Sequence, residues 1–388
     1  MRMKLAMVVA AVAVLAVAAW GGYRYFWQSP DEAVFGAIDS YVFIANHNAP
    51  EVAVIDAKKD TLAGTLALPF VADQVLVSRA IMRLIVSNRA EKLVAIIDLP
   101  TRTVEANFRL PMTPDVMVLS PDGLRLAVAD TEGGTIGLIN FIDGTLNAVI
   151  DGLNAPAKMT FDADGVVLFV IDDAEAEIKM INARKGELLP PLSLREAGAV
   201  PGATDLSALT RTPDGRRGFV TDALGGKGYV ISFRDWTVTK ALDLGKTPSR
   251  AYGTADGQFM LVANTGSRTI SLISTEMFEV EATLPGVGDV TSIATGFFET
   301  LAYIISRDEK KAVIIDLQTL ELAGEVALDG VPGQAVADED GKKLYVPLGG
   351  TGKLALIDVY NKKIGHIITG TPSAPGSPAM AASNNYCH

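Results

Sequence analysis

Short apolar runs alternate with turn residues through most of the chain, and this pattern repeats with a fixed period. In seven of the eight copies one apolar run ends in Asn, Asp or Ser, and in every copy a second run ends in Ile followed by Asp, Asn or Ser. The isoleucines of the second run are Ile55, Ile97, Ile139, Ile181, Ile231, Ile273, Ile315 and Ile357. They lie 42 residues apart, except for one step of 50 between Ile181 and Ile231. The shared register predicts eight structural repeats.

Each copy has the pattern of four short strands. In the copy that begins at Asp115, apolar segments at 115–119, 126–129, 135–139 and 145–150 are separated by turns such as Ser120-Pro121-Asp122-Gly123. Four antiparallel strands every ~40–45 residues are typical of a propeller blade. The sequence therefore predicts an all-β fold, an eight-bladed β-propeller. Seven blades are the alternative if one copy does not form a full blade.

The ends of the repeat region predict how the ring closes. The first copy starts near Tyr41 at what should be its second strand, with no first strand before it. Residues 375–383 lie where an innermost first strand belongs in the 42-residue register. We expect the C-terminal segment to complete the first blade and cover its edge, since closed β architectures leave no open edge. The predicted propeller spans residues 41–388.

The N-terminus has the pattern of a membrane segment. Residues 5–20 contain no polar side chain, Arg2 and Lys4 precede them, and aromatic residues follow. The apolar length is close to the ~20 residues that span a bilayer as a helix. We interpret residues 1–28 as an N-terminal transmembrane anchor and residues 29–40 as a linker, with the propeller in the periplasm and the helix in the inner membrane. A cleaved secretory signal, with Ala16-Val17-Ala18 at the cleavage site, is the alternative.

Charge and cysteine content narrow the possible partners and cofactors. The net charge is −11, and without Arg2, Lys4 and Arg24 the remainder carries 31 − 45 = −14, which argues against nucleic acid as a partner. The single cysteine, Cys387, rules out an intramolecular disulfide and a cysteine-based zinc site. No Cys-x-x-Cys-His motif occurs, so the sequence has no signal for covalent haem, and no cofactor or metal site is predicted.

Polar residues recur where the first strand of each repeat begins, at the expected mouth of the central channel. These candidate ligand-binding residues are Asp73, Asp115, Lys158, Asp205, Arg250 and Asp289, and Gln74, Thr291 and Gln334 occupy similar offsets. Convergent groups of both charges at a channel mouth are suited to a small polar ligand. The alternative is that the start of every strand is simply solvated.

Two further features belong to the same predicted face. His47 follows Asn46 in a loop between strands, where an imidazole can act as a haem or metal ligand or as a general base, or can simply be exposed. The extra residues around 190–205 form an insertion that we expect near the channel mouth. No recognisable catalytic set is present, so the catalytic residues are unknown.

The repeats resemble those of the YVTN β-propeller family, in which a Tyr-Val-x-Asn strand is paired with a Val-Ile-Asp strand. The best matches are 41–46 with 52–56, 85–88 with 94–98, and 261–264 with 271–273, and the resemblance covers residues 41–384. Related propellers serve as lactonase-like enzymes, dehydrogenase subunits, haem-binding domains and binding modules, so the resemblance implies a fold rather than a chemistry.

Our functional hypothesis is a membrane-anchored periplasmic binding or assembly module. Such a module would be a subunit of an envelope complex, with protein partners in the periplasm or inner membrane. The alternative is a redox enzyme with a non-covalent cofactor, or a lactonase-like enzyme, that uses Asp73, Asp115, Lys158 and Arg250, with His47 as a ligand.

Overall fold

Eight antiparallel sheets make up the structure, a computed structural model that describes residues 38–381 except residues 143 and 297. The predicted eight-bladed propeller is confirmed, and the alternative of seven blades is wrong. The two helices in these residues are the short 3₁₀ turns Ile38–Ser40 and Arg195–Ala197, and neither can cross a bilayer. The predicted anchor, residues 1–28, and most of the linker lie outside the described residues.

The strands are numbered in chain order. The first half contains β1 (Tyr41–Asn46), β2 (Glu51–Asp56), β3 (Thr61–Ala67), β4 (Gln74–Ser78), β5 (Arg83–Asn88), β6 (Leu93–Asp98), β7 (Thr103–Arg109), β8 (Val116–Leu119), β9 (Arg125–Asp130), β10 (Thr135–Asn140), β11 (Thr145–Ile150), β12 (Met159–Phe161), β13 (Val167–Asp172), β14 (Glu177–Asn182) and β15 (Glu187–Ser193). The second half contains β16 (Thr210–Arg211), β17 (Arg217–Asp222), β18 (Lys227–Ser232), β19 (Thr237–Asp243), β20 (Tyr252–Gly253), β21 (Phe259–Asn264), β22 (Thr269–Ser274), β23 (Val280–Pro285), β24 (Val290–Gly296), β25 (Leu301–Ser306), β26 (Lys311–Asp316), β27 (Glu321–Ala327), β28 (Val331–Pro332), β29 (Val336–Ala337), β30 (Lys343–Gly349), β31 (Lys353–Asp358), β32 (Lys363–Thr369) and β33 (Pro375–Met380).

Consecutive strands form the blades, with two exceptions. Blades two to seven take four strands each, from β4 to β27 in order. In blade eight the first strand is broken into β28 and β29, which both pair with β30. In blade one the order is β3-β2-β1-β33, so the first strand comes from the C-terminal end of the described chain.

The strand β33 closes the ring. It pairs antiparallel with β1, and Val42 lies opposite Met380 while Ile44 lies opposite Pro378. Ala379 and Met380 pack against core clusters on either side of blade one. The C-terminal segment therefore covers the edge that β1 would otherwise expose.

The repeated isoleucines lie in the third strand of each blade and are at most 1% exposed. The polar residue after each isoleucine turns the chain toward the fourth strand. Asp56 Oδ1 accepts hydrogen bonds from the backbone N–H groups of Lys58 (2.9 Å) and Lys59 (3.1 Å), and Asp316 makes the same pair of contacts in blade seven. The recurrent Ile-Asp pair thus combines a core residue with a turn-forming side chain.

The Asn, Asp or Ser that ends the second strand forms the next turn in the same way. Asn88 Oδ1 accepts a hydrogen bond from Glu91 N (2.7 Å), and Asp130 Oδ1 accepts one from Gly133 N (2.7 Å). Asp130 also accepts a hydrogen bond from Thr113 N through Oδ2 (2.8 Å), which ties the turn to the loop that enters blade three. Hydrogen bonds from Thr113 and Gly133 outweigh burial and lower the pKa of Asp130.

We expect Asp130→Ala to lower the free energy of unfolding by about 2 kcal/mol at pH 7, because it leaves two N–H groups without their acceptor. Folding lowers the pKa of this carboxyl, so the ionised carboxylate stabilises the folded protein at pH values above the pKa of the unfolded state. That stability is lost as the pH falls through the pKa of the folded state. The difference from the wild type should therefore shrink as the pH falls below about 4. Urea unfolding at pH values from 7 to 3 measures this difference in the free energy of unfolding. A difference that stays constant with pH would contradict the lowered pKa of Asp130. Exposed Glu132→Ala is the control.

Two faces follow from the strand order. Loops from second to third strands and from blade to blade lie on one face, here called the channel-mouth face. Loops from first to second and from third to fourth strands lie on the opposite face, here called the turn face. First strands of neighbouring blades contact one another, as β4 contacts β33 and β8, and so they surround the central channel.

Candidate functional site

Side-chain hydrogen bonds link the first strands from blade to blade around the channel. Gln74 Nε2 donates to the carbonyl oxygen of Asp115 (3.2 Å), which joins blades two and three. Thr160 Oγ1 donates to the carbonyl oxygen of Leu209 (2.9 Å), which joins blades four and five. Polar residues of the first strands thus link neighbouring blades, so they do more than contact solvent at the start of a strand.

Asp73 and Asp115 are brought together by Arg89. The backbone N–H of Arg89 donates to Asp73 Oδ2 (2.6 Å), and its side-chain Nε donates to Asp115 Oδ1 (2.8 Å). Asp115 Oδ2 also accepts a hydrogen bond from Thr131 N (2.8 Å), and the Asp115 side chain is only 10% exposed. These two carboxylates therefore connect loops of blades two and three.

Lys158 and Asp205 form a direct ion pair between blades four and five. Lys158 Nζ lies 2.6 Å from Asp205 Oδ1 and 3.0 Å from Asp173 Oδ2. Burial opposes the charged amine, but the hydrogen bonds to Asp205 and Asp173 outweigh it and raise the pKa of Lys158. The amine is therefore a protonated link between blades and is poorly suited to act as a general base.

Asp289 lies at the start of blade seven and pairs with Arg307. Arg307 Nη1 donates to Asp289 Oδ1 (3.4 Å), and both side chains are about half exposed, at 54% and 46%. Exposed pairs of this kind contribute little stability.

The insertion before blade five lies on the channel-mouth face and is bonded to the neighbouring loop. Gly202 N donates to the carbonyl oxygen of Asp173 (3.0 Å), and Leu206 N donates to Asp173 Oδ1 (2.7 Å). Arg195 Nε donates to the carbonyl oxygen of Glu175 (2.9 Å). Each contact goes to the loop between the second and third strands of blade four, so the insertion is anchored to that blade.

Arg250 lies on the wall of a cavity of about 460 Å³ within the channel. Its Nη2 donates to the carbonyl oxygen of Leu209 (2.8 Å) and to Thr160 Oγ1 (3.2 Å), so it reaches from blade six to blade four. Its Nε donates to Thr210 Oγ1 (3.2 Å). The cavity is bounded by the first strands of blades six, seven and eight, through Ser249, Ala251, Tyr252, Val290, Thr291, Ser292, Ile293, Gln334 and Ala335.

His47 is exposed on the same face, in the loop between β1 and β2 of blade one. Its backbone N–H donates to the carbonyl oxygen of Ala374 (3.0 Å), just before β33. The imidazole lies over Gly376, where a Cβ would come within 2.9 Å of Nε2, so glycine leaves room for the ring. The structure joins His47 to none of the charged pairs described above.

Three charged residues of these pairs, Arg89, Asp173 and Arg307, were not predicted. Each directly follows the Asn, Asp or Ser that ends a second strand, as His47 follows Asn46, so their position in the repeat was the available signal. Among residues 38–142, 144–296 and 298–381, no group of three or more His, Cys, Asp or Glu side chains is arranged to hold a metal ion.

Comparison with known proteins supports the fold and no more specific assignment. No family model matches the sequence, and no curated protein matches it. The resemblance to YVTN repeats therefore stays a prediction.

Solved propellers match the structure at low sequence identity. Dihydro-heme d1 dehydrogenase NirN in complex with DHE has a TM-score of 0.70 and 17% identity, over 91% of this chain and 78% of that chain. Hydrazine synthase of Kuenenia stuttgartiensis has a TM-score of 0.54 and 17% identity, over 85% and 97%. The propeller domain of Cps50 (Swd1) from Myceliophteria thermophila has a TM-score of 0.55 and 14% identity, over 74% and 95%. At such identities the likeness concerns the fold alone.

Proposed function

We propose that the protein is a membrane-anchored binding module of the cell envelope whose central channel takes an anionic ligand. The observation that carries this proposal is Arg250, a guanidinium on the wall of a channel cavity of about 460 Å³. The cavity falls within the range of about 300–1,000 Å³ that is usual for small-molecule sites. Of the charged residues predicted at the mouth, Arg250 is the one whose side chain belongs to the lining of this cavity, which makes it the candidate for ligand recognition.

The lining of the cavity suits an anion that also has an apolar part. Hydroxyl and amide groups of Ser249, Thr291 and Gln334 alternate with the apolar side chains of Ala251 and Ile293. The Arg250 guanidinium donates hydrogen bonds to two hydroxyl oxygens and a carbonyl oxygen, which fix its orientation in the channel wall. A guanidinium fixed in this way recognises carboxylate or phosphate groups strongly, because a charged hydrogen bond is roughly twice as strong as a neutral one.

The location and the partners belong to the same proposal. The apolar segment at residues 5–20 supports an inner-membrane anchor with the propeller in the periplasm. Regular loops from all eight blades on the channel-mouth face supply a surface for protein partners in the periplasm or inner membrane. The module would present its ligand to such a partner as a subunit of an envelope complex.

The proposal is tested by calorimetric titration of the detergent-solubilised full chain with citrate, inorganic phosphate and coproporphyrin. We expect at least one of these anions to bind, and Arg250→Gln to weaken that binding about 10- to 100-fold, the loss typical of a charged hydrogen bond. Arg250→Lys keeps the charge and should give an intermediate affinity.

Arg307→Gln is the matched control, because it removes the same charge from the same face outside the cavity. Its affinity should equal that of the wild type. Equal losses in the two arginine variants, or no binding by any of the three anions, would count against the channel site. Melting curves are measured first, so that every variant is titrated at a temperature at which it is folded.

A second candidate function is a redox module with a non-covalent iron tetrapyrrole. Two observations favour it: the exposed imidazole of His47 on the channel-mouth face, and the structural likeness to NirN, whose known complex contains DHE. The side-chain types of His47 and Arg250 fit an iron tetrapyrrole, since an imidazole binds iron and a guanidinium binds carboxylates. When bound, the iron would supply electron transfer. No comparable observation in the described part of the chain favours a lactonase-like enzyme.

A further inference from the structure

Large apolar side chains are exposed around the turn face. They come from blades two, three, five, six, seven and eight: Met82, Ile142, Trp236, Met277, Phe298 and Tyr360. Phe298 is 82% exposed and Ile142 is 69% exposed. On the channel-mouth face the exposed large apolar residues within the described part of the chain are the aliphatic Val200, Leu224 and Val331. A ring of such residues on one face indicates a contact surface.

Trp236 places an amphipathic ring on the turn face. It occupies the left-handed turn position of blade five (φ 53°), as Phe278 does in blade six and Leu320 does in blade seven. A bulky residue is uncommon in this conformation. The indole packs against Phe233 at 5.7 Å between ring centroids and remains 39% exposed. Tryptophan and tyrosine favour the boundary between bilayer and water, where an amphipathic ring contacts both.

Among the residues that the structure describes, blades one and four have no exposed large apolar residue on this face, and they present pairs of basic residues there. In blade one the turn from third to fourth strand carries Lys58 and Lys59, and in blade four it carries Arg184 and Lys185. All four are exposed, and the side chains of Lys59 and Lys185 reach 76% and 66% exposure. Lys59 Nζ also lies 3.1 Å from Asp56 Oδ2, and Lys185 Nζ lies 4.0 Å from Glu187 Oε2, so part of this charge is already compensated. In a protein of net charge −11, the basic residues still supply positive charge for anionic headgroups, at about 1 kcal/mol for each residue near a membrane surface.

Both ends of the described chain lie on the turn face. The 3₁₀ turn Ile38–Ser40 leads directly into the start of β1 on this face, and β33 also ends here at Met380. The residues between the proposed anchor and Ile38 span at most about 35 Å when fully extended. An anchor at residues 1–28 would therefore hold the turn face close to the bilayer.

We propose that the turn face docks on the surface of an anionic phospholipid bilayer. Trp236, Phe298 and Tyr360 enter the interface with the other members of the apolar ring, and the basic pairs contact lipid headgroups. This inference rests on the proposed envelope anchor. Docking in this orientation points the channel mouth away from the membrane, toward ligands and partners in the aqueous compartment.

Cysteine labelling of the full chain in vesicles tests this orientation. Cys387→Ser removes the native thiol, and a single cysteine with an environment-sensitive dye then replaces Met277 on the turn face. The matched control is a cysteine at Leu224 on the channel-mouth face, since the two native side chains are 62% and 69% exposed. Vesicles contain phosphatidylcholine and phosphatidylglycerol, with a doxyl quencher near the headgroups.

We expect the dye at residue 277 to lose most of its emission and the dye at residue 224 to keep it, because interfacial side chains enter about 5–10 Å into the headgroup boundary. Adding Phe298→Ser and Tyr360→Ser should restore emission at residue 277 while the chain stays in the vesicles. If both dyes stay bright in vesicle-bound protein, docking is wrong. If the dye at residue 224 is quenched instead, the orientation is reversed and docking is again wrong. A chain that remains outside the vesicles would show that the anchor itself is wrong, and docking would lose its basis.

Discussion

A chain truncated after Ser373 is expected to lose the closed propeller. The truncation removes β33, which is the partner of β1 and the first strand of blade one. It leaves the hydrogen-bonding groups of β1 unpaired and uncovers Phe43 and Ile44, which are 0% exposed in the intact ring. Since domains are stable by only about 5–15 kcal/mol, removing a strand that seals two core clusters is a large loss.

The matched control ends at Ala381 and keeps β33. We expect this chain to unfold in urea at the same midpoint as the full chain, while the chain truncated after Ser373 should elute as an aggregate or an expanded monomer. Circular dichroism and size-exclusion chromatography compare the two. An unchanged unfolding midpoint after removal of β33 would show that the ring does not depend on this closure.

The second large effect is the loss of iron tetrapyrrole binding that the redox alternative predicts when His47 is replaced. If the protein binds an iron tetrapyrrole through this imidazole, adding iron protoporphyrin to the full chain should give a stoichiometric complex with the absorption of histidine-ligated iron. His47→Ala should abolish that absorption, because it removes the nitrogen that binds the iron.

His366→Ala is the control for the His47 variant. His366 is also exposed, but it lies in β32 on the outer strand of blade eight. Its removal should leave the spectrum unchanged. A spectrum that survives His47→Ala, or equal losses in both variants, would contradict a role for His47 as the iron ligand and leave the anion-binding module as the better account.

The fold could be predicted because the core and turn residues of each repeat act on near neighbours in the sequence. Ile97 followed by Asp98 is a core residue followed by a turn residue, and the same pair recurs at Ile357 and Asp358. Both isoleucines are at most 1% exposed, and Asp358 Oδ1 accepts a hydrogen bond from Asn361 N (2.9 Å). Burial and turn formation act within a few residues, so they are visible in one sequence.

The site was less predictable because its contacts join different blades. Lys158 and Asp205 were both predicted to lie at the channel mouth, but nothing in the sequence indicated that they pair with each other. Arg250 hydrogen bonds to Thr160, which lies 90 residues away in the sequence. Such contacts depend on the angle between blades and on side-chain direction, which a repeat pattern does not encode.

The break in the first strand of blade eight, beside the cavity, is visible in the sequence. The first strand of blade eight breaks between Pro332 and Val336, and residues of this break, Gln334 and Ala335, line the cavity. Proline cannot donate to a strand ladder and glycine weakens it, so Pro332-Gly333 marks an interruption of the channel wall. The first strand of blade one begins with the same pair, Pro375-Gly376, so the pair marks an interrupted first strand and does not by itself locate the cavity.

The central claim is that an anionic ligand binds beside Arg250 in the channel. A crystal structure of the chain with the tightest-binding of citrate, phosphate and coproporphyrin tests it most directly. We predict a carboxylate or phosphate oxygen within hydrogen-bond distance of the Arg250 guanidinium, in the cavity bounded by Ser249 and Gln334. Ligand density on the turn face, or on the channel-mouth face away from Arg250, would contradict the account.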